Sequence, residues 1–134
     1  MPKNIAYTRV STQGQDTSGQ RLKILDWAHA HKVHIDEIVE ETISSRKADR
    51  EIFTVIEKLL PGDMVVTTEL SRLCRGGNIE MFGILDKLRL KKAKLTFFTS
   101  DSTTTTIDPS DPNDIQSQVL VFAFSLSAQI ERSS

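Results

Sequence analysis

The sequence predicts an α/β fold: a mostly parallel, four- to five-stranded sheet covered by helices, with a long C-terminal helix. Short apolar segments alternate with amphipathic segments of about 10–15 residues, a pattern typical of βαβ units with parallel strands. The last apolar segment differs from the others because it is apolar on more than one helical side. With 134 residues, the chain is long enough to form one domain.

Four segments are predicted to be strands because they are short, apolar and bounded by polar turn residues. They are Ile5–Val10, Ile35–Glu40, Met64–Thr67 and Leu95–Thr99. Three helices are expected between them, from Thr17 or Ser18 to about His31, over Arg50–Leu60, and from Asn78 to about Lys91. The expected inward face of the first helix is Leu22, Leu25 and Ala28, with Ile24 and Trp27 beside it. Those of the other two are Ile52, Phe53, Ile56, Leu59 and Leu60, and Ile79, Phe82, Leu85 and Leu88. The stretch Ser102–Pro112, rich in Thr, Asp and Pro, is predicted to be a flexible loop.

The final segment, Asn113–Arg132, carries two apolar stripes on different sides of a helix. The first contains Ile115, Val119, Phe122, Leu126 and Ile130, and the second contains Leu120, Val121 and Phe124. If one stripe docks on the sheet domain, the other needs a second partner, and a two-fold dimer would bury it. The alternative is a buried strand through Gln118–Phe124. We therefore expect a sheet unit over residues 1–112, followed by a dimerisation helix over 113–134.

Composition excludes several classes of protein. One cysteine rules out an internal disulfide framework and fits a reducing cytoplasm, where we expect the protein to be found. The single cysteine and three histidines lack zinc-ligand spacing, and no apolar run is long enough for a membrane span. The net charge of −1 and a pI near 6.3 argue against a generally basic DNA-binding surface. Any contact with DNA would therefore depend on local clusters of arginine and lysine.

Three polar segments follow the first three predicted strands: Ser11–Thr17, Glu41–Ala48 and Glu69–Gly77. The carboxyl ends of parallel strands lie at one edge of the sheet, where ligands bind in such folds. Arg9 and Ser11 are two residues apart at the end of the first strand, so their side chains can share a site. Guanidinium groups match phosphate oxygens, and phosphoryl transfer depends on positioning and charge neutralisation. A serine among arginines therefore favours attack on a phosphodiester over attack on an amide.

The motif Tyr7-Thr8-Arg9-Val10-Ser11-Thr12, followed by Gln15 and Gln20, closely resembles the opening of the resolvase/invertase family of serine recombinases. The resemblance continues in family order through three more blocks, which are Ser45-Arg46-Lys47-Ala48-Asp49-Arg50, Leu70-Ser71-Arg72-Leu73-Cys74-Arg75 and Ala128-Gln129-Ile130-Glu131-Arg132. These blocks span nearly the whole chain. The opening motif combined with the Leu-x-Arg-Leu-x-Arg block is highly specific.

The resemblance implies roles for individual residues. Ser11 would attack a DNA phosphate to give a 5′-phosphoserine link and a free 3′-hydroxyl. Gln15 and Gln20 would help to order the site. The scissile phosphate would be bound by Arg9, Arg50, Arg72 and Arg75, and further DNA contacts would come from Arg46, Lys47 and Arg132. No metal or cofactor is implied. The partners would be DNA and further copies of the chain, as a homodimer that pairs into a tetramer during strand exchange.

Two positions bear on the proton transfers. Family members often carry an aspartate where this chain has Ser71, so a carboxylate that orients arginine or moves a proton is absent there. Glu69 lies two residues away in register, whereas Glu41 occupies a position where the family commonly has an acid. The resemblance also implies that residues 1–112 are the catalytic domain and that 113–134 are the start of a truncated dimerisation helix. A DNA-reading domain would follow this helix, and these 134 residues contain no such element.

Three alternative functions were weighed against this interpretation. A catalytically inactive DNA-binding or scaffolding relic of the same family would keep the fold without the chemistry, but the intact Ser11 and matched arginines argue against it. A small-molecule enzyme that binds phosphate through Ser11–Thr17 would normally have a more glycine-rich loop. A serine hydrolase needs a histidine near Ser11, and the three histidines lie towards the far end of the first helix.

Overall fold

A computed structural model describes residues 2–10, 17–42, 51–73, 77–99 and 103–133. Within these ranges, strands and helices alternate as expected from the sequence. The strands are β1 (Asn4–Val10), β2 (Glu37–Thr42), β3 (Met64–Thr67), β4 (Lys94–Phe98) and β5 (Thr104–Ile107). The helices are α1 (Thr17–Ala30), α2 (Glu51–Glu57), α3 (Asn78–Lys91) and α4 (Ile115–Ser133), with a 3₁₀ turn at Leu70–Arg72.

The five strands form one sheet in the order β2-β1-β3-β4-β5. The first four are parallel, and β5 pairs antiparallel with β4. The predicted α/β fold class is confirmed. The prediction of a flexible loop over Ser102–Pro112 is wrong for Thr104–Ile107, which forms β5. Threonine and isoleucine suit a strand that extends a sheet edge, and Ile107 is fully buried opposite Leu95.

Helices cover both faces of the sheet. On one face α1 packs Ile24 against Ala6, Val66 and Phe98. The larger core lies on the other face, under α2, α3 and α4. Its buried side chains come mainly from two helices, α2 and α3, and from four strands, and partly buried side chains of α4 pack against them. The buried set includes Ile5, Tyr7, Ile52, Ile56, Val65, Ile84, Leu85, Leu88 and Leu95.

The bounds of β2 differ from the prediction. The strand covers Glu37–Thr42 rather than Ile35–Glu40, so Glu41 belongs to the strand and is buried instead of lying in a surface loop. Burial of Glu41 is possible because Tyr7 supplies it with a hydrogen bond inside the core. Periodicity of apolar residues cannot detect a buried carboxylate, which explains the error.

The buried faces of three helices were predicted only in part. Leu22 and Leu25 of α1 are exposed, and so are Leu60 after α2 and Ile79 of α3. The faces that are buried consist of Gln20, Ile24 and Ala28 in α1, Ile52, Val55 and Ile56 in α2, and Met81, Ile84, Leu85 and Leu88 in α3. The α3 face is rotated because this helix packs against both the sheet core and α4.

The C-terminal segment is a helix, as predicted, and not the alternative strand. Leu120, Val121 and Phe124 pack against the main core, whereas the other stripe of five apolar side chains is between 48% and 75% exposed. At about 100° per residue the two stripes lie on opposite sides of the helix. We call the exposed set the α4 stripe; it contains Ile115, Val119, Phe122, Leu126 and Ile130. Among the described residues, no helix is both long and apolar enough to cross a membrane.

Two leucines of α3 test this arrangement of the core. Leu88 is 1% exposed and Leu90 is 66% exposed. Leu88→Ala should lower the free energy of unfolding by about 2–5 kcal/mol because it leaves a cavity in the main core. Leu90→Ala should change it by less than about 0.5 kcal/mol. Urea denaturation followed by circular dichroism measures both, and equal losses would contradict the orientation of α3.

Candidate active site

Arg9 lies at the carboxyl end of β1 and is only 9% exposed. Its side chain is on the same face of the sheet as that of Tyr7, because residues two apart along a strand point the same way. The Nη2 group donates a hydrogen bond to the main-chain oxygen of Ser71, at 3.0 Å. A charged side chain that links β1 to the segment after β3 in this way is held in one orientation.

The main chain of Arg9 is held by the side chain of Gln20. The Arg9 N–H donates to Gln20 Oε1 at 3.1 Å, and Gln20 Nε2 donates to the Arg9 carbonyl oxygen at 2.7 Å. The pairing of β1 with β3 covers only Asn4–Ala6, so Arg9 lies beyond the part of β1 that is paired with β3. The amide of Gln20 satisfies both main-chain groups, as a neighbouring strand would.

A buried tyrosine and a buried glutamate lie beside Arg9. Tyr7 Oη donates to Glu41 Oε1 at 2.6 Å, and the two residues are 0% and 4% exposed. Glu41 is the register partner of Arg9 in the parallel pairing of β1 with β2, so both side chains are on one face. Glu41 was predicted to be a site residue, and Tyr7 was not. The signal was available, since Tyr7 precedes Arg9 by two residues on the same strand.

The 3₁₀ turn at Leu70–Arg72 positions two more of the expected residues. Arg72 Nη2 lies 3.7 Å from Glu69 Oε1, and Ser71 Oγ lies 3.4 Å from Glu69 Oε2. A 3₁₀ turn has about three residues per turn, so residues three apart are on the same side. The turn therefore brings the Glu69 carboxylate next to Arg72, although Glu69 is two residues away from the position where an acid was expected.

A cavity of about 450 Å³ opens in front of Arg9 on the face covered by α3 and α4. This volume falls within the range of about 300–1,000 Å³ that is common for ligand sites. Arg9, Ser71 and Asn78 provide polar groups, and α4 contributes a wall through Phe124. The remaining lining residues are Leu70, Gly77 and Met81.

The structure thus brings together Arg9, Gln20, Glu41 and Ser71, with Arg72 on the adjoining turn. The other expected site residues, Ser11, Gln15, Arg46, Lys47, Arg50 and Arg75, lie outside the described residues. The backbone of Arg132 belongs to α4, but its side chain is also outside the described part. The described side chains form no group of three or more His, Cys, Asp or Glu residues that could hold a metal ion.

A family model described as "Resolvase, N terminal domain" matches residues 4–134. The chain belongs to the resolvase N-terminal domain family. A curated protein named "Resolvase" from Clostridium perfringens is 31% identical over 129 residues, which is 96% of this chain and 63% of that protein. The resolvase domain therefore spans less than two thirds of the length of this relative.

Solved structures share the fold of this resolvase domain. The N-terminal catalytic domain of TP901-1 integrase aligns with a TM-score of 0.69 at 22% identity, over 98% of this chain and 97% of that one. A resolvase family site-specific recombinase from Streptococcus pneumoniae aligns with a TM-score of 0.71 at 21% identity, over 99% and 89%. The C-terminal catalytic domain of ISC1926 TnpA, an IS607-like serine recombinase, aligns with a TM-score of 0.55 at 23% identity, over 69% and 67%.

Gln20 provides a test of how this resolvase domain holds Arg9. Gln20→Ala removes both hydrogen bonds to the Arg9 main chain. Two buried groups then lose their partners, so the free energy of unfolding should fall by about 2–4 kcal/mol. Asp26→Ala, at an exposed position of the same helix, should change it by less than about 0.5 kcal/mol. Chemical denaturation measures the free energy of unfolding of both variants. A Gln20→Ala protein as stable as the parent would show that these two hydrogen bonds do not hold Arg9.

Proposed function

We propose that this domain cuts and rejoins DNA, with Ser11 as the nucleophile. The observation that carries the proposal is the buried Arg9 guanidinium, fixed at the end of β1 two residues before Ser11. Membership of the resolvase family and the position of Arg72 on the adjoining turn support it. The curated relative named "Resolvase" and the serine recombinases of similar fold point to the same class of reaction.

In the proposed cleavage step, one phosphoester bond replaces another. The Ser11 hydroxyl oxygen bonds to phosphorus, the bond between phosphorus and the DNA 3′ oxygen breaks, and the 3′ oxygen gains a proton as Ser11 loses one. The product is a 5′-phosphoserine link with a free 3′-hydroxyl, and the reverse reaction rejoins the strand. Because the ester bond is conserved, the reaction balances without a cofactor. The charge that accumulates on the phosphoryl oxygens is offset by arginine, and we assign this role to Arg9, Arg50, Arg72 and Arg75.

Glu41 is a buried carboxylate, and it lies opposite Arg9 in the pairing of β1 with β2. Its hydrogen bond from Tyr7 fixes the direction of one oxygen. We assign Glu41 a role in orienting the arginines of the site. An acid at position 71 would otherwise share this role. Gln20 also positions Arg9, through its two hydrogen bonds to the Arg9 main chain.

Covalent trapping tests the role of Ser11. Incubation with a pool of random-sequence duplexes, followed by rapid denaturation, should yield protein–DNA adducts in which mass spectrometry finds a nucleotide 5′-phosphate on Ser11. Ser11→Ala should form no adduct, whereas Thr54→Ala, which removes an exposed hydroxyl from α2, should form as much as the parent. Absence of any adduct in the parent protein would favour the inactive relic, and an adduct that persists in Ser11→Ala would exclude Ser11 as the nucleophile.

We further propose that the α4 stripe is the interface of a homodimer. Its five large apolar side chains are exposed on the side of α4 opposite to the core contacts. A helix that is apolar on both sides needs a partner on each of them. A second copy of the same helix supplies a self-complementary apolar surface under two-fold symmetry. Pairing of such dimers into a tetramer is part of the proposed strand exchange.

A charge placed in the α4 stripe should break the dimer. Phe122→Glu puts a carboxylate in the centre of the apolar surface, where an unpaired charge is costly to bury. Sedimentation velocity should show the parent chain as a dimer at high concentration and Phe122→Glu as a monomer. Gln116→Glu adds the same charge to α4 outside the stripe and should leave the dimer intact. If both variants dimerise like the parent, the stripe is not the interface.

A further inference from the structure

A group of lysines lies at the amino ends of the parallel strands, at the edge of the sheet opposite to Arg9. Lys3 precedes β1 and Lys94 begins β4. The other members come from the ends of α2 and α3, because a helix that connects parallel strands returns from the carboxyl edge of the sheet to the amino edge. We call this set the amino-edge lysines; it contains Lys3, Lys58, Lys87, Lys91, Lys92 and Lys94.

Hydrogen bonds to one turn bring three of these lysines together. The Lys3 N–H donates to Oδ1 of Asp63 at 2.9 Å, and the Lys94 N–H donates to the Asp63 carbonyl oxygen at 2.8 Å. The Gly62 N–H donates to the Lys92 carbonyl oxygen at 2.9 Å. The main chains of Lys3, Lys92 and Lys94 are therefore held around this turn, and their exposed side chains share one area of the surface.

The carboxylates nearest to this turn are occupied by other donors. Asp63 is 3% exposed, and each of its oxygens accepts a hydrogen bond from a main-chain N–H group. Asp108 is next to Lys94 across the pairing of β4 with β5, but its carboxylate accepts hydrogen bonds from Ser110. Among the residues that the structure describes, no carboxylate lies within 4.0 Å of the ammonium group of an amino-edge lysine.

The end of α3 extends the positive surface. Lys91 Nζ donates to the Glu57 carbonyl oxygen at 2.9 Å, which is a neutral acceptor. Arg89 forms an ion pair with Asp86 at 2.9 Å, so its charge is offset within α3. The amino edge therefore carries an excess of positive charge, although the chain as a whole has a net charge of −1.

The amino-edge lysines lie far from the cavity in front of Arg9. Lys3 precedes Arg9 by six residues, which is about 20 Å along a strand. Asn78 lines that cavity, and Lys91 follows it by thirteen residues of helix, which is again about 20 Å. In physiological salt, surface charges are screened over about 8 Å. These lysines therefore do not act on a phosphate that is held at the carboxyl edge.

Lysine is well suited to contacts with a phosphate backbone. Its ammonium is a point charge on a flexible stem, so it attracts phosphate without requiring a fixed geometry. Interfaces between proteins are depleted in lysine, and ordering its long side chain costs entropy. A surface built from lysines therefore favours a nucleic-acid backbone over an acidic protein surface.

We propose that the amino-edge lysines bind the backbone of a segment of duplex DNA other than the one that Ser11 cleaves. This inference rests on the proposed function, since it takes DNA as the partner. The two edges of the sheet face in opposite directions, and duplex DNA is stiff over about 150 base pairs. A short duplex that crosses the carboxyl edge therefore does not reach the amino edge. The domain holds two segments at once, and the second is bound without readout of its sequence.

A site-resolved titration provides the first test. The Ser11→Ala protein is mixed with a random-sequence duplex of about 12 base pairs, which is too short to bend around the domain. In ¹H–¹⁵N correlation spectra, the amide signals of Lys87, Lys92 and Lys94 should shift, and added salt should reverse the shifts. The amide of Lys32, which follows α1 on the other face of the sheet, should not shift. Amino-edge signals that do not respond to DNA would overturn the proposal.

Two glycine variants provide a matched pair. Lys92 and Lys32 are both exposed, each follows a helix, and their φ angles are 57° and 56°. Glycine adopts this conformation without steric cost, so neither Lys92→Gly nor Lys32→Gly should lower the melting temperature. Lys92→Gly should weaken the DNA binding that the Lys94 amide reports by about three- to tenfold, and should reduce the slope of log affinity against log salt by about 0.9. Lys32→Gly should change neither quantity, and equal effects of the two variants would refute a localised surface.

Sedimentation velocity without DNA distinguishes DNA from a second copy of the chain as the partner. The parent and Lys92→Gly proteins should form the same oligomers, because this edge binds DNA rather than protein. Lys92→Arg keeps the charge and should bind DNA like the parent. If Lys92→Gly changes the oligomers and DNA does not shift the Lys94 amide, the surface binds an acidic face of another copy and the proposal is wrong.

The result can be distinguished from that of the cleavage proposal. If the parent protein forms the Ser11 adduct but DNA leaves the amino-edge amides unchanged, this surface is refuted and the nucleophile stands. If the amino-edge amides shift and Lys92→Gly weakens binding while no adduct forms, the surface stands and the cleavage proposal fails.

Discussion

The site depends on how β1 is held where it separates from β3. Pairing between these strands stops at Ala6, and Arg9 lies three residues further on, with main-chain groups that are buried and need partners. The amide of Gln20 provides both partners, so a helix side chain takes the place of β3 beside this part of β1. This contact fixes the backbone of Arg9, and Arg9 in turn reaches Ser71 across the gap. The cavity on the α3 and α4 face opens in front of this arginine.

The same contact explains which parts of the fold could be predicted from the sequence. Alternating apolar segments were sufficient to predict the βαβ order and the parallel strands. The rotation of α1 was not predictable in this way, because its buried face runs through Gln20, Ile24 and Ala28, one residue per turn. A glutamine in that row looks polar, so the periodicity favoured Leu22 and Leu25, which the structure exposes. The tertiary requirement at Arg9 outweighed the hydrophobic pattern.

The acidic side chains of the site were also hard to place from the sequence. Glu41 is buried with a hydrogen bond from Tyr7. The sequence places Tyr7 on the same side of β1 as Arg9, but it does not show that Tyr7 pairs with Glu41. Glu69 is two residues away from position 71, where an acid was expected, but the 3₁₀ turn places its carboxylate beside Arg72. Family motifs identify which residue types belong at the site. The local backbone determines which charges are close together, and a net charge of −1 for the chain therefore says little about the charge around Arg9.

Helix α4 belongs to two surfaces at once. Phe124 forms part of the wall in front of Arg9, and the opposite side of the same helix carries the α4 stripe. The two sides of a helix cannot move independently. A partner that binds the stripe more tightly in one tilt of α4 than in another therefore also selects one shape of the cavity, and a ligand that selects that shape favours the partner by the same free energy. In the proposed dimer, assembly and occupancy of the cavity in front of Arg9 would therefore be thermodynamically linked through α4.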